Sequence, residues 1–148
     1  MAEVVDELRI EGSTSDVWAV LADFGSISRW ASNVDHSCLM TLQATGTGAV
    51  RRVQVGRNAL LEKVVTWEPE VALGYELIGV PPLVRTVTNT WSISAEGGTT
   101  AVKLTTQIEP AGPRPPQQLA ARIFGRVLAR ASGQLLAGLK AYVEESNA

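Results

Sequence analysis

The chain has little of what most catalytic and metal centres are built from. It contains one cysteine, Cys38, and one histidine, His36. A lone cysteine has no partner for a disulfide within the chain, and a His-x-Cys pair supplies too few ligands for zinc. Because adjacent strand residues point to opposite faces, Asp35 is badly placed to orient His36 as a base. We therefore expect no metal and no cofactor, and catalysis by His36 is disfavoured.

The sequence also lacks a strong charge of either sign and any long apolar run. Its 13 basic and 15 acidic residues give a net charge of −2, which argues against a general nucleic-acid binder. No apolar stretch approaches the ~18 residues expected of a transmembrane helix, and the first residues are acidic where a signal peptide would be basic. We expect a soluble cytoplasmic protein with a single domain over residues 1–148.

What the sequence does contain is a series of strand patterns. Apolar and polar side chains alternate most clearly over residues 3–11, 86–94 and 102–109, and less cleanly over residues 49–55 and 72–78. In residues 86–94 a row of threonine and serine hydroxyls opposes an apolar face formed by Val87, Asn89, Trp91 and Ile93. The Gly97-Gly98 dipeptide predicts an antiparallel hairpin between the last two strands.

Three helices are predicted around these strands. Ser13 or Thr14 begins a short helix through Val17 and Leu21, and a second short helix follows through Ile27 to Trp30. The last helix begins at Pro113-Arg114-Pro115-Pro116 and has apolar residues at every fourth position from Leu119 to Val143. Its roughly 30 residues would span about 45 Å, so only a broad sheet can cover its apolar stripe.

Two features of the last helix have alternative interpretations. The helix contains Gly125, Gly133 and Gly138, which either allow close packing on the sheet or leave room for a ligand. It also carries arginines at every fourth position beside the apolar stripe, namely Arg122, Arg126 and Arg130. Such a row is either simply solvated or faces a membrane surface or an acidic partner.

The order of motifs along the chain resembles that of the START-like superfamily (SRPBCC), which includes polyketide cyclases/dehydrases and lipid-transfer domains. The residues that carry this resemblance are Ser13-Thr14-Ser15-Asp16-Val17-Trp18 with Leu21, Asp23, Phe24 and Trp30; Gly46-x-Gly48; Glu62-x-Val64-x-x-Trp67-x-Pro69; Tyr75 and Trp91; and Gly97-Gly98-Thr99-Thr100-x-Val102. The resemblance implies an α+β helix-grip fold. In this fold a curved antiparallel sheet of about six to seven strands wraps around the long C-terminal helix, with two short helices after the first strand.

The resemblance also implies an elongated cavity between sheet and helix for a lipophilic molecule. The side chains that we expect to contact such a ligand are Trp30, Arg51, Tyr75, Asn89, Trp91, Phe124 and Leu128. Arg51 either turns inward and pairs with Glu62 or a ligand group, or lies in water, because strand register over residues 32–67 is not fixed by the sequence. Asn89 is either a satisfied core amide or a ligand contact.

Three functional hypotheses follow. The first is binding of a small lipophilic ligand such as a fatty acyl, isoprenoid or polyketide-like molecule. The second is an enzyme of the polyketide cyclase/dehydratase type, in which Arg51 and Asn89 hold oxygens while Tyr75 or Glu62 moves protons. The third is a non-catalytic role in binding a partner, or in forming a homodimer, through the basic face of the last helix. Catalytic residues are not assigned at this stage.

Overall fold

The computed structural model describes residues 2–147. The chain forms seven strands, namely β1 (Ala2–Ile10), β2 (His36–Leu39), β3 (Val50–Val55), β4 (Asn58–Glu68), β5 (Ala72–Ile78), β6 (Val84–Glu96) and β7 (Thr99–Pro110). Helix α1 (Thr14–Ala22) and a 3₁₀ helix (Phe24–Arg29) follow β1, and helix α2 (Pro115–Ser146) ends the fold. Within the described residues, no helix is both long and apolar enough to cross a bilayer.

The strands form one antiparallel sheet in the order β1-β7-β6-β5-β4-β3-β2. Strand β1 therefore joins the far end of the meander, beside β7, and α2 packs mainly across these two strands. The predicted α+β helix-grip fold is confirmed, including both short helices. Strands β2 and β4 are the elements that the sequence pattern did not place.

Helix α1 begins at a capping box. The Ser13 hydroxyl accepts a hydrogen bond from the Asp16 amide at 3.0 Å, and the Asp16 carboxylate accepts one from the Ser13 amide at 3.1 Å. The hydrogen bond that the carboxylate accepts from the Ser13 backbone amide is the largest of the contacts that lower the pKa of Asp16. This helix start fixes where the chain turns from β1 towards the 3₁₀ helix, whose Ile27 reaches the interior.

The apolar stripe of α2 does not face the core along its whole length, which corrects the sequence-based expectation. Leu119, Ile123 and Val127 are 56%, 53% and 62% exposed, whereas Leu135, Leu139 and Val143 are buried. The reason is geometric. A turn takes 3.6 residues, so a row with a spacing of four drifts by about 40° per step and leaves the buried face within a few turns. The first half of α2 instead buries Ala121 and Gly125, and Ser132 is buried just after the midpoint.

Two of the three glycines of α2, Gly125 and Gly138, serve close packing. A Cβ at Gly138 would overlap the Trp30 carbonyl oxygen, and one at Gly125 would lie 3.2 Å from Cδ1 of Ile108. At Gly133 the nearest group is the Asp6 carboxylate on β1, at 3.7 Å from the position of a Cβ. None of the three lines the cavity between helix and sheet, and the contacts of Gly125 and Gly138 favour the close-packing alternative for these two.

Candidate functional site

A cavity of about 480 Å³ lies between the middle of α2 and strands β3 to β7. It exists because α2 packs on β1 and β7, while the other half of the sheet curves away from the helix. The buried part of its wall is mainly apolar and includes Ile27, Val34, Val53, Leu77 and Leu135. A volume of this size lies within the usual range for sites that hold small organic molecules.

One end of the cavity reaches the surface. The exposed lining residues there come from three elements: Val55 and Asn58 at the turn between β3 and β4, Gly79 and Pro81 in the loop after β5, and Val127 on α2. We call this end the mouth. The opposite, inner end is closed by buried side chains of the central strands. Several of these side chains are polar, namely Glu62, Tyr75, Asn89 and Thr106.

The structure brings together four of the seven side chains that the sequence predicted for the site. Tyr75, Asn89, Phe124 and Leu128 line the cavity. Their contact with a ligand stays a prediction. Tyr75 and Asn89 lie directly opposite each other on β5 and β6, as their places in the alternating pattern require, and Asn89 lies opposite Thr106 on β7.

The other three predicted residues lie outside the cavity wall. Trp30 and Trp91 are buried and pack edge-to-face with ring centroids 5.8 Å apart. Trp91 acts on the site indirectly, because its indole nitrogen donates a hydrogen bond of 3.2 Å to the Tyr75 hydroxyl. Arg51 is likewise buried behind the wall.

Arg51 turns inward, which decides between the two orientations that the sequence left open. Its Nε donates to Oε1 of Glu62 at 2.7 Å, and its Nη1 donates to the Phe24 carbonyl at 3.0 Å. The two side chains of the pair are only 3% and 9% exposed. The guanidinium also lies 3.9 Å from the ring centre of Phe24 and 4.6 Å from that of Tyr75. These contacts hold the cation in place from several directions.

One guanidinium nitrogen of this pair is unsatisfied. Nη2 of Arg51 is buried and has no hydrogen-bond partner among residues 2–147. Orphaned donors of this kind are rare in folded proteins and are expected to lower stability. Glu62 is thus the carboxylate that pairs with the Arg51 cation, and Glu62 itself lines the cavity.

Glu62 is a cavity residue that the sequence named as a mate for Arg51 and, in the cyclase/dehydratase hypothesis, as a possible acid or base, but did not include among the expected ligand contacts. It lies directly opposite Arg51 on β4, and its register became clear only from the pairing of β3 with β4. Thr106 and Ser132 are lining residues that the sequence missed. Thr106 had a usable signal, because it shares a strand face with Val102, Leu104 and Ile108. Ser132 also had one, because it follows Phe124 and Leu128 at the same four-residue spacing.

The polar groups of the inner end form a connected set. The Thr106 hydroxyl donates to the side-chain oxygen of Asn89 at 2.6 Å. Burial raises the pKa of the Tyr75 phenol, and the neighbouring Glu62 carboxylate raises it further. The Arg51 charge and hydrogen bonds from Trp91 and Asn89 oppose that rise without cancelling it. Tyr75 therefore stays protonated at neutral pH and keeps a proton to donate.

The residues that the sequence analysis considered for metal or histidine chemistry do not line the cavity. His36 and Cys38 are exposed on the edge strand β2, and the Asp35 carboxylate accepts a hydrogen bond from the Gly56 amide at 2.7 Å. In the part of the chain that the structure describes, no three histidine, cysteine or acidic side chains are grouped to hold a metal ion.

Solved structures with the same fold include an aromatase/cyclase. The Zhui aromatase/cyclase from Streptomyces sp. R1128 has a TM-score of 0.81 and 17% identity over 99% of this chain and 96% of its own. The di-domain ARO/CYC BexL from the BE-7585A biosynthetic pathway has a TM-score of 0.79 and 17% identity over 97% of this chain and 47% of its own. TTHA0849 from Thermus thermophilus has a TM-score of 0.75 and 19% identity over 99% of this chain and 100% of its own. At these identities the likeness shows the fold.

The sequence itself matches a family model. The model described as polyketide cyclase / dehydrase and lipid transport matches residues 1–144. No curated protein matches the sequence. The family match confirms the resemblance that the motifs of the sequence predicted.

Proposed function

The chain belongs to the polyketide cyclase/dehydrase and lipid transport family, and from this premise we propose that it binds a small lipophilic molecule in the cavity. The observation that carries the proposal is the cavity itself. Its wall is mainly apolar, and its few buried polar side chains include Glu62, Asn89 and Thr106 on the strands. An apolar pocket with a small number of directed polar groups is the usual form of a small-molecule site.

This arrangement favours a ligand with one polar end. The apolar part of the ligand would lie along Phe124 and Leu128 on α2 and Leu77 on β5. Its polar end would reach Glu62, Tyr75 or Asn89, where it meets both donors and acceptors of hydrogen bonds. Fatty acyl, isoprenoid and polyketide-like molecules all have this form.

Filling the cavity tests the proposal. We expect Leu128→Trp to weaken binding of the lipophilic fluorophore N-phenylnaphthylamine by about tenfold or more, because the larger side chain occupies the ligand's volume. Leu119→Trp is the matched control, since it adds the same group to an exposed position of the same helix. Fluorescence titration measures both. Equal affinity in the two variants, or no binding to the unaltered protein in titration and in native mass spectrometry of lipid-soaked samples, contradicts ligand binding in this cavity.

A second candidate function is catalysis of the cyclase/dehydratase type, and the Glu62 carboxylate is the observation that favours it. A buried carboxylate at the wall of an apolar cavity is suited to take a proton from the carbon between two carbonyl groups of a polyketone. Arg51 fixes the orientation of the carboxylate. In this candidate function the Tyr75 hydroxyl and the Asn89 amide, both from residues that line the cavity, would hydrogen-bond the enolate oxygen that forms.

Glu62→Gln separates this candidate from simple binding. If Glu62 is a general base, the variant should bind a polyketone with similar affinity while kcat falls by about a hundredfold or more. Circular dichroism checks that the variant is folded, and Tyr75→Phe offers a second position if it is not. Tight binding of the polyketone by the unaltered protein without any product assigns the cavity to binding alone.

A further inference from the structure

The first half of α2 presents two parallel rows of exposed side chains. The exposed apolar row is Leu119, Ile123 and Val127, and the arginine row is Arg122, Arg126 and Arg130. Each row follows a spacing of four residues, so its members lie on one side of the helix. These three large aliphatic side chains are each more than half exposed and stand next to one another, and a contiguous exposed apolar patch often marks an interaction site.

Charge is segregated onto this part of the chain. Residues 110–143 contain five of the 13 basic residues and none of the 15 acidic ones, although the whole chain is slightly negative. No carboxylate among residues 2–147 forms an ion pair with Arg122, Arg126 or Arg130. The arginine row is therefore a field of uncompensated positive charge on an otherwise acidic protein.

The exposed apolar row continues into the mouth of the cavity. Val127 belongs to the row and also lines the cavity, and the helical spacing places the row between the mouth and the arginine row. Across the mouth, Val55 is 36% exposed, and Pro81 lines the opening. Apolar side chains from three separate elements thus surround one opening, with positive charge along one side.

We propose that this surface docks on a phospholipid bilayer that carries anionic headgroups. A bilayer accepts apolar side chains from several elements at one depth, while the arginines remain at the level of the headgroups. A single helix of a protein partner would cover the rows on α2 but not the opposite side of the mouth. Docking in this orientation turns the mouth towards the acyl chains, so a lipophilic ligand passes between bilayer and cavity without crossing water.

The test uses vesicles of phosphatidylcholine alone and of phosphatidylcholine mixed with phosphatidylglycerol. The unaltered protein should co-sediment with the anionic vesicles and lose most of this binding at high salt. The variant Arg122→Gln/Arg126→Gln/Arg130→Gln should partition about a hundredfold more weakly. Ile123→Ser should weaken partition at every salt concentration, because it removes an apolar contact that salt does not screen.

A matched control removes the same charge elsewhere. Arg9→Gln/Arg29→Gln/Lys103→Gln changes three exposed basic residues away from the mouth and should keep nearly full binding. Loss of binding in this control equal to that in the arginine-row variant overturns the proposal, as does equal partition onto neutral and anionic vesicles. Absence of vesicle binding combined with salt-sensitive binding to an acidic protein, or with a doubled mass in light scattering, also overturns it. Vesicle binding is measured without a cavity ligand. A protein that binds N-phenylnaphthylamine but not vesicles would therefore contradict docking while leaving the proposed function intact.

Discussion

Arg51→Met should lower the free energy of unfolding by about 3–5 kcal/mol, the range found when one partner of a buried ion pair is removed. The variant leaves the Glu62 carboxylate largely buried without its cation and leaves the Phe24 carbonyl without its donor. Methionine can fill the space between the Phe24 and Tyr75 rings, so lost packing contributes little. Urea unfolding followed by circular dichroism measures the difference.

Two further variants isolate the ion pair. Arg52→Met changes the neighbouring arginine, which is half-buried on the opposite face of β3, and should have a much smaller effect. Arg51→Met/Glu62→Met removes both charges and should recover much of the lost stability, because apolar replacements of buried ion pairs are often neutral. If Arg51→Met and Arg52→Met lose the same stability, the pair is not the feature that holds this side of the cavity.

The role of the pair explains which part of the site the sequence predicted. Asn89 stands in the strand with the clearest alternation, and Tyr75 shares the parity of Leu73 and Leu77, so the inward direction of both followed from parity. Arg51 stands in a strand whose neighbours β2 and β4 carry weak patterns, and a shift of one residue would have turned it outward. Only the pairing of Arg51 with Glu62 across β3 and β4 fixes its direction. The sequence supplied both residues but not their register.

The predictions for Trp30 and Trp91 depended on the separation between helix and sheet, which the periodicity of a sequence does not encode. Trp30 and Trp91 point inward as expected, but they lie where the interior is filled rather than open. A cavity forms where helix and sheet diverge, and this depends on how α2 is docked along its length. The exposure of Leu119, Ile123 and Val127 was also not predicted. A four-residue spacing rotates slowly around the helix axis, and this rotation becomes large only over a helix as long as α2.

The docking of α2 leads to the second large effect, at Gly138. We expect Gly138→Ala to lower the free energy of unfolding by about 1–3 kcal/mol through overpacking, even though alanine favours a helix. An added Cβ would overlap the Trp30 carbonyl oxygen, and because this atom belongs to the backbone no side-chain rotation relieves the overlap. Thermal or urea unfolding measures the loss.

Gly133→Ala, one and a half turns earlier on the same helix, is the matched control. Its Cβ would meet only the Asp6 carboxylate at an ordinary distance of 3.7 Å, so the helix propensity of alanine should raise stability by up to about 1 kcal/mol. Opposite signs for the two substitutions would show that α2 is held against the segment around Trp30. Since Ile27 and Val34 lie on either side of Trp30 and line the cavity, Gly138→Ala should also weaken N-phenylnaphthylamine binding, whereas Gly133→Ala should not. Equal effects of the two substitutions on stability and binding would contradict this account of how the helix positions the cavity wall.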